Sequence, residues 1–314
     1  MDSNKIAFLF SGQGAQYVGM GKELYENIPE CRAIFDKGEE ILDMPIKDLI
    51  FNGPDEKLMQ TELAQPAILL TSLAALKALE VKGVEAEYAT GLSLGEYAAL
   101  IYGGALSFED GLKLIKERGR IMGSALPTGL GKMAAIMRLD DEKMEELLSR
   151  ASRYGICEGA NFNCPGQVSI AGENEAIDKA IEIAQELGGR AVPLKVSGPF
   201  HSSLLKEASD EFYETIKKVN VSKLKKTVYS NVKGLPYEKE DDIRLMLKKH
   251  IMSSVYFEKE IRDMLDKGVN TFVEIGPGKA LRGFVKKIDR RAKLLNVEDI
   301  KSLDDTLKEL KHVI

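Results

Sequence analysis

Apolar positions along this chain recur with two periods. Residues 5–10 (KIAFLF) form a short apolar run that stops at Gly12, the pattern of a buried strand. Helical spacing follows over residues 21–27, 31–42 and 61–79. Residues 86–90 read as a second strand and 94–102 as a helix directly behind it. A further helix over 108–122 carries acids early and bases late, as the helix dipole favours. Strands and helices alternating in this way predict an α/β fold with a mainly parallel sheet.

The pattern changes after Pro127-Thr128-Gly129. A strand at 132–138, a helix at 140–151, strands at 156–161 and 167–171, a helix at 173–187 and a strand at 190–196 follow one another. The order β-α-β-β-α-β is that of a ferredoxin-like unit. The larger pattern then resumes with a helix opening at His201, a strand at 227–230, helices near 241–251 and 257–266, and a strand at 271–275. The expected organisation is discontinuous. Residues 1–128 and 199–314 form a large α/β domain, and 129–198 a ferredoxin-like subdomain inserted into it.

Composition narrows the function classes. Of 314 residues, 44% are hydrophobic and 30% charged, the balance of a globular chain. A net charge of -5 supplies no basic field for nucleic acid. The three cysteines, Cys31, Cys157 and Cys164, fit reduced thiols rather than a disulfide framework, and no CxxC or His/Cys cluster suggests a metal site. The first residues hold only five consecutive apolar residues, too few for a signal sequence. The apolar stretch 66–79 is broken by Thr71, Ser72 and Lys77 and is too short to span a bilayer, so a core helix is expected there. A cytoplasmic location without a membrane partner is the expectation.

Gly91-Leu92-Ser93-Leu94-Gly95 is GxSxG, set between a predicted strand and a predicted helix. That context suits a nucleophile elbow, in which a tight turn pushes the serine hydroxyl out at the carboxyl end of a strand. An ordinary Gly/Ser-rich turn has the same composition. A serine nucleophile needs a base, and the chain has three histidines. His312 is two residues from the end, and His250 closes a Lys-rich helix as a C-terminal dipole partner. His201 follows the loop Ser197-Gly198-Pro199-Phe200, which makes it the candidate base, with a capping or solvated histidine as the alternative. Ser11-Gly12-Gln13-Gly14 after the first strand has neither P-loop nor dinucleotide spacing. Its use would be to present a backbone N–H. An oxyanion hole needs two such donors, one from Leu94 after the nucleophile and one from Gln13.

Six segments in order, GQGAQ, GLSLGEY, KERGRIM, NFNCPGQVSIAG, GPFH and EIGPGKAL, resemble the bacterial malonyl-CoA:acyl carrier protein transacylase family, from residue 8 to about residue 287. The resemblance implies a hydrolase-like large domain, with Ser93 as the acylated nucleophile and His201 as general base, then general acid. It implies Gln13 and Leu94 as oxyanion donors, and Arg118 as the fork that binds the free malonyl carboxylate. By itself Arg118 reads as a helix-surface base. Gln65 and Asn163 match polar positions lining the acyl pocket, where ordinary helix and turn polarity is the alternative. The main-chain carbonyl of His250 would orient the imidazole, giving a Ser-His dyad.

No cofactor is required, and the implied partners of this monomer are malonyl-CoA and an acidic acyl carrier protein. Lys279, Arg282, Lys286, Lys287, Arg290, Arg291 and Lys293 are either its docking surface or a solvated helix face. The chain departs from the family pattern at Leu92 (usually His), His250 (usually Gln) and Ser254 (usually Pro). Phe200, bulky beside His201, should crowd an α-branch and favour malonyl over methylmalonyl. Three alternatives share these features: a thioester hydrolase, a polyketide-synthesis transferase using another extender unit, and a non-enzymatic carrier-protein scaffold.

Overall fold

A computed structural model describes residues 5–127 and 129–311. The first four residues, Thr128 and His312 with the two residues after it lie outside the described residues. The strands are β1 (Lys5–Phe10), β2 (Tyr88–Gly91), β3 (Lys132–Met137), β4 (Cys157–Cys164), β5 (Gln167–Gly172), β6 (Arg190–Pro193), β7 (Thr227–Ser230), β8 (Leu235–Pro236), β9 (Val269–Ile275) and β10 (Lys293–Val297). The helices are α1 (Lys22–Asn27), α2 (Pro29–Leu42), α3 (Ile46–Asn52), α4 (Asp55–Leu58), α5 (Thr61–Glu80), α6 (Gly95–Tyr102) and α7 (Phe108–Ser124). After them come α8 (Asp141–Ala151), α9 (Asn174–Glu186), α10 (Lys206–Ile216), α11 (Ile243–His250), α12 (Phe257–Asp266), α13 (Ala280–Ile288) and α14 (Ile300–Lys311).

The large sheet has the order β10-β9-β1-β2-β7-β8, parallel throughout except for the β7–β8 pair. β1 sits in its interior because Ala7, Phe8, Leu9 and Phe10 leave no polar face, as a strand covered on both sides requires. Its register sets Phe10 beside both Gly91 and Ile275. The loops that leave β1, β2 and β9 therefore start at one level, at the carboxyl edge where α/β sheets bind ligands. Helix α5 covers the residues expected, but by length and composition it is long and apolar enough to cross a membrane, contrary to the reading of its apolar stretch as too short. Yet 83% of its apolar window is buried inside the protein, against α2 and α7.

The second sheet is antiparallel with the order β4-β5-β3-β6, the ferredoxin-like arrangement. It packs α8 and α9 on one side around Ile136, Leu147, Ile170 and Ile177, a core separate from that of the large sheet. Asp140 caps α8 by accepting the Lys143 N–H at 2.9 Å. The two sheets are tied through the loop between α11 and α12. There the Val255 N–H donates to Ala160 O at 2.8 Å, and the Phe162 N–H donates to Val255 O at 2.8 Å. The Ser254 hydroxyl donates to Gly159 O at 2.6 Å, a bond that proline could not make.

Several elements were not expected from the pattern: α3 and α4, the short strand β8, and the run β10, α13 and α14 after residue 275. The helix expected to open at His201 also begins later. Residues 203–205 form a 3₁₀ turn, and α10 starts at Lys206.

Candidate active site

The GxSxG turn is built by close backbone approach. A Cβ on Gly91 would lie 2.2 Å from the Gly95 carbonyl carbon, and one on Gly95 would lie 2.3 Å from Phe10 O. Only glycine fits either place. The turn throws Ser93 into left-handed backbone geometry, φ 55°, a conformation that a non-glycine residue holds only where its surroundings enforce it. His201 is held likewise at φ 61°.

These two residues meet. Ser93 Oγ lies 2.8 Å from His201 Nε2, and His201 Nδ1 lies 2.8 Å from the His250 carbonyl oxygen. A carbonyl only accepts, so Nδ1 carries the proton and Nε2 presents a lone pair to the serine hydroxyl. Burial, with the Arg118 charge nearby, pushes the His201 imidazole down to about 3, so the neutral ring prevails at neutral pH. A hydroxyl hydrogen-bonded to a bare imidazole nitrogen is the arrangement for nucleophilic attack with proton removal.

Arg118 is not on a helix surface. It is fully buried on α7, where Leu114, Ile115 and Met122 share its inward side. Its Nη2 donates to Ser93 Oγ at 3.0 Å and its Nη1 to Gln65 Oε1 at 2.8 Å, while Nε has no partner. It forms no ion pair among the described residues. Its aromatic neighbour is Tyr97, with the guanidinium carbon 5.5 Å from the ring centroid. Gln65 in turn donates to Gln13 Oε1 at 3.4 Å, and Gln13 Nε2 donates to Thr61 Oγ1 at 3.0 Å.

The loop after β1 abuts the serine turn, with the Leu92 N–H donating to Phe10 O at 3.1 Å. The Ser93 N–H is taken by Asn231 Oδ1 at 2.9 Å. No hydrogen bond engages the N–H of Gln13 or of Leu94 among the described residues. Leu94 is the N-cap of α6, where the helix dipole is positive.

A cavity of about 260 Å³ lies against Ser93 and His201 between the two sheets. Gln13, Leu92, Asn163 and Phe200 are on its wall, as are Ala280, Leu281 and Phe284 of α13. Asn163 is buried with Oδ1 unpartnered. Gln65 and Arg118 are not on the wall. Gln65 stands behind the guanidinium rather than lining the cavity.

His250 ends α11 as expected, but burial holds its imidazole well below the ordinary value, so it is no charged partner of the helix dipole. It is fully buried, and its Nε2 bonds Asn231 Oδ1 at 3.1 Å. Asn231 was not singled out in the sequence. It follows β7 at the same sheet edge as Ser93, and that position was the available signal. Glu96 and Glu260 stand beside it. Burial raises them to about 7 and about 8 respectively.

Of the basic residues after residue 278, Lys279, Arg291 and Lys293 pair with Glu298, Asp289 and Glu309. Arg282 donates to Asn296 and Lys287 to Gln167. No ion pair engages Lys286 or Arg290 among the described residues.

A parallel sheet with a serine and an imidazole at its carboxyl edge, joined to an antiparallel sheet, defines the class. Residues 7–303 match the acyl transferase domain family. The chain is 42% identical to the malonyl CoA-acyl carrier protein transacylase of Bacillus subtilis (strain 168) over 98% of each chain. It is similar to the crystal structure of the malonyl CoA-acyl carrier protein transacylase from Clostridium perfringens, with a TM-score of 0.96, 48% identity and 98% of each chain covered. It is also similar to the malonyl-transacylase solved in complex with its type II PKS acyl-carrier protein. There the TM-score is 0.94 and the identity 32%, over 98% of this chain and 100% of that one. The chain belongs to the malonyl CoA-acyl carrier protein transacylase family of acyl transferases.

Proposed function

We propose that this enzyme moves a malonyl group from malonyl-CoA to the phosphopantetheine thiol of an acyl carrier protein, through an ester on Ser93. The observation that carries this reading is the convergence on one oxygen. Ser93 Oγ is 2.8 Å from His201 Nε2 and 3.0 Å from Arg118 Nη2. A plain thioester hydrolase has no need of a buried guanidinium without a carboxylate partner. An acyl group ending in a free carboxylate does.

In this reading Ser93 attacks the thioester carbon while His201 Nε2 takes its proton. The N–H groups of Gln13 and Leu94 hold the oxyanion, and collapse expels coenzyme A thiolate, protonated by His201. The carrier thiol then gives its proton to His201, attacks the Ser93 ester and restores the serine hydroxyl. Arg118, set by Gln65, holds the malonyl carboxylate throughout. Asn163 and Phe200 shape the acyl end of the cavity, with Phe200 crowding an α-branch. Residues 129–198 act as an inserted subdomain that closes the cavity over the large domain.

The acidic carrier would dock where α13 lines the cavity with Ala280, Leu281 and Phe284 and exposes Lys286 and Lys287 beside it. A transfer assay with malonyl-, methylmalonyl- and acetyl-CoA and a carrier protein tests the reading. Malonyl transfer should dominate, and Ser93→Ala should abolish it. Hydrolysis without transfer would sink it.

A further inference from the structure

We infer that Asn231 is a positioning residue that locks the nucleophile and the base into one register. The inference rests on the Ser93–His201 reading above. Its ground is a closed circuit of hydrogen bonds. Asn231 Oδ1 accepts the Ser93 N–H at 2.9 Å and the His250 Nε2–H at 3.1 Å. The same His250 accepts the His201 Nδ1–H on its carbonyl at 2.8 Å, and His201 Nε2 accepts the Ser93 hydroxyl at 2.8 Å. One amide oxygen is thus tied to the backbone of the nucleophile and to the residue that aims the base.

Asn231 is itself immobilised. Its Nδ2 donates to Gly91 O at 2.9 Å and to Glu260 Oε1 at 2.8 Å, and its backbone N–H donates to Glu96 Oε2 at 2.9 Å. Both lone pairs and both amide protons of the side chain are used, so a flipped amide would set donor against donor. The Ser93 N–H is a donor only, which fixes the His250 tautomer: Nε2 carries the proton. Asn231 is fully buried and off the cavity wall, so it touches no substrate. It braces Ser93, which is left-handed, and through His250 it braces His201, left-handed as well. The Ser93 N–H, once occupied, leaves the Leu94 N–H as the free donor of the turn.

The test measures phosphonylation of Ser93 by an organophosphorus fluoridate, and kcat and KM for malonyl transfer, in Asn231→Leu and Asn231→Asp. Misalignment should slow phosphonylation and kcat by about 10²-fold in Asn231→Leu, with KM for malonyl-CoA little changed. In Asn231→Asp the new carboxyl faces Glu96, Glu260 and His250, with Tyr237 behind Glu96. Protonated, it restores the acceptor oxygen and one of the amide's two donor bonds, so its phosphonylation rate should climb as pH falls. A folded Asn231→Leu protein that phosphonylates at the wild-type rate, or that loses only KM, would overturn the inference. Should Asn231→Leu fail to fold, an Asn231→Asp rate equal to wild type and flat in pH would overturn it too. A wild-type enzyme inert to the reagent would instead refute the Ser93–His201 reading on which the inference stands.

Discussion

Replacing Arg118 by alanine should convert the acyl preference rather than simply damage the enzyme. The guanidinium is buried and forms no ion pair among the described residues, the buried Glu96 carboxylate acting on it only through space. A malonyl carboxylate bound to it would form two charge-assisted hydrogen bonds, each worth about 1.5–3 kcal/mol. Part of that gain is offset, because Nη2 already bonds Ser93 Oγ and Nη1 already bonds Gln65 Oε1. The net loss then falls near the lower end, about 3–4 kcal/mol, or roughly 10²–10³ in kcat/KM for malonyl transfer. An acetyl group makes neither bond, and its transfer should be spared or improved. Arg118→Lys should fall between, since an ammonium cannot fork onto two oxygens. The assay is kcat/KM with malonyl-CoA and acetyl-CoA on the same preparation. Their ratio is unaffected by any fraction that fails to fold, which matters because truncation leaves Gln65 Oε1 unpaired. Equal losses for both acyl groups would refute the carboxylate role.

Three further outcomes follow from the geometry. The pH profile of kcat/KM should keep its acid limb well below the ordinary imidazole value, because burial depresses His201 to about 3; a limb at about 6.5 would contradict a buried base. Phe200→Ala, which opens the cavity wall beside His201, should raise methylmalonyl transfer relative to malonyl transfer; an unchanged ratio would remove Phe200 from specificity. Glu260, raised to about 8, keeps its proton in the folded state where the unfolded chain has lost it. Its contribution is therefore fully present below the ordinary carboxylate value and is lost as pH rises to about 8, at up to about 1.4 kcal/mol per pH unit. Glu260→Gln cannot ionise in either state, so its melting temperature should fall less between pH 5 and 8; parallel curves would contradict the burial argument.

Where apolar period and punctuation coincide, the fold could be read from the chain. β1 is a solid apolar run ended by Gly12, and β2 to α6 is a strand, a glycine-flanked turn and a helix. The six elements of the antiparallel unit carry clear periods. α3 and α4 were hidden because they are short and separated by Gly53-Pro54. α13 was hidden because it hides only a narrow stripe, Leu281 and Val285, beneath a basic surface.

The site was legible only in part. Ser93 announced itself through its flanking glycines. His201 came by elimination, although the helix expected to begin on it starts further on. Arg118 looked like a surface base, although it falls three residues after Ile115 and four after Leu114, on the apolar stripe of α7. Asn231 belonged to no motif, and its place directly after β7 was its one signal. Its significance comes from tertiary contacts to residues 91, 93, 250 and 260, which no window of sequence contains.

The most direct measurement is an intact-mass spectrum after incubation with malonyl-CoA alone, followed by peptide mapping. The account predicts one malonyl group, mapped to Ser93, that persists until a carrier thiol is added and is absent from Ser93→Ala. A malonyl group on any other residue, or a Ser93→Ala protein that is still acylated and still transfers, would contradict it.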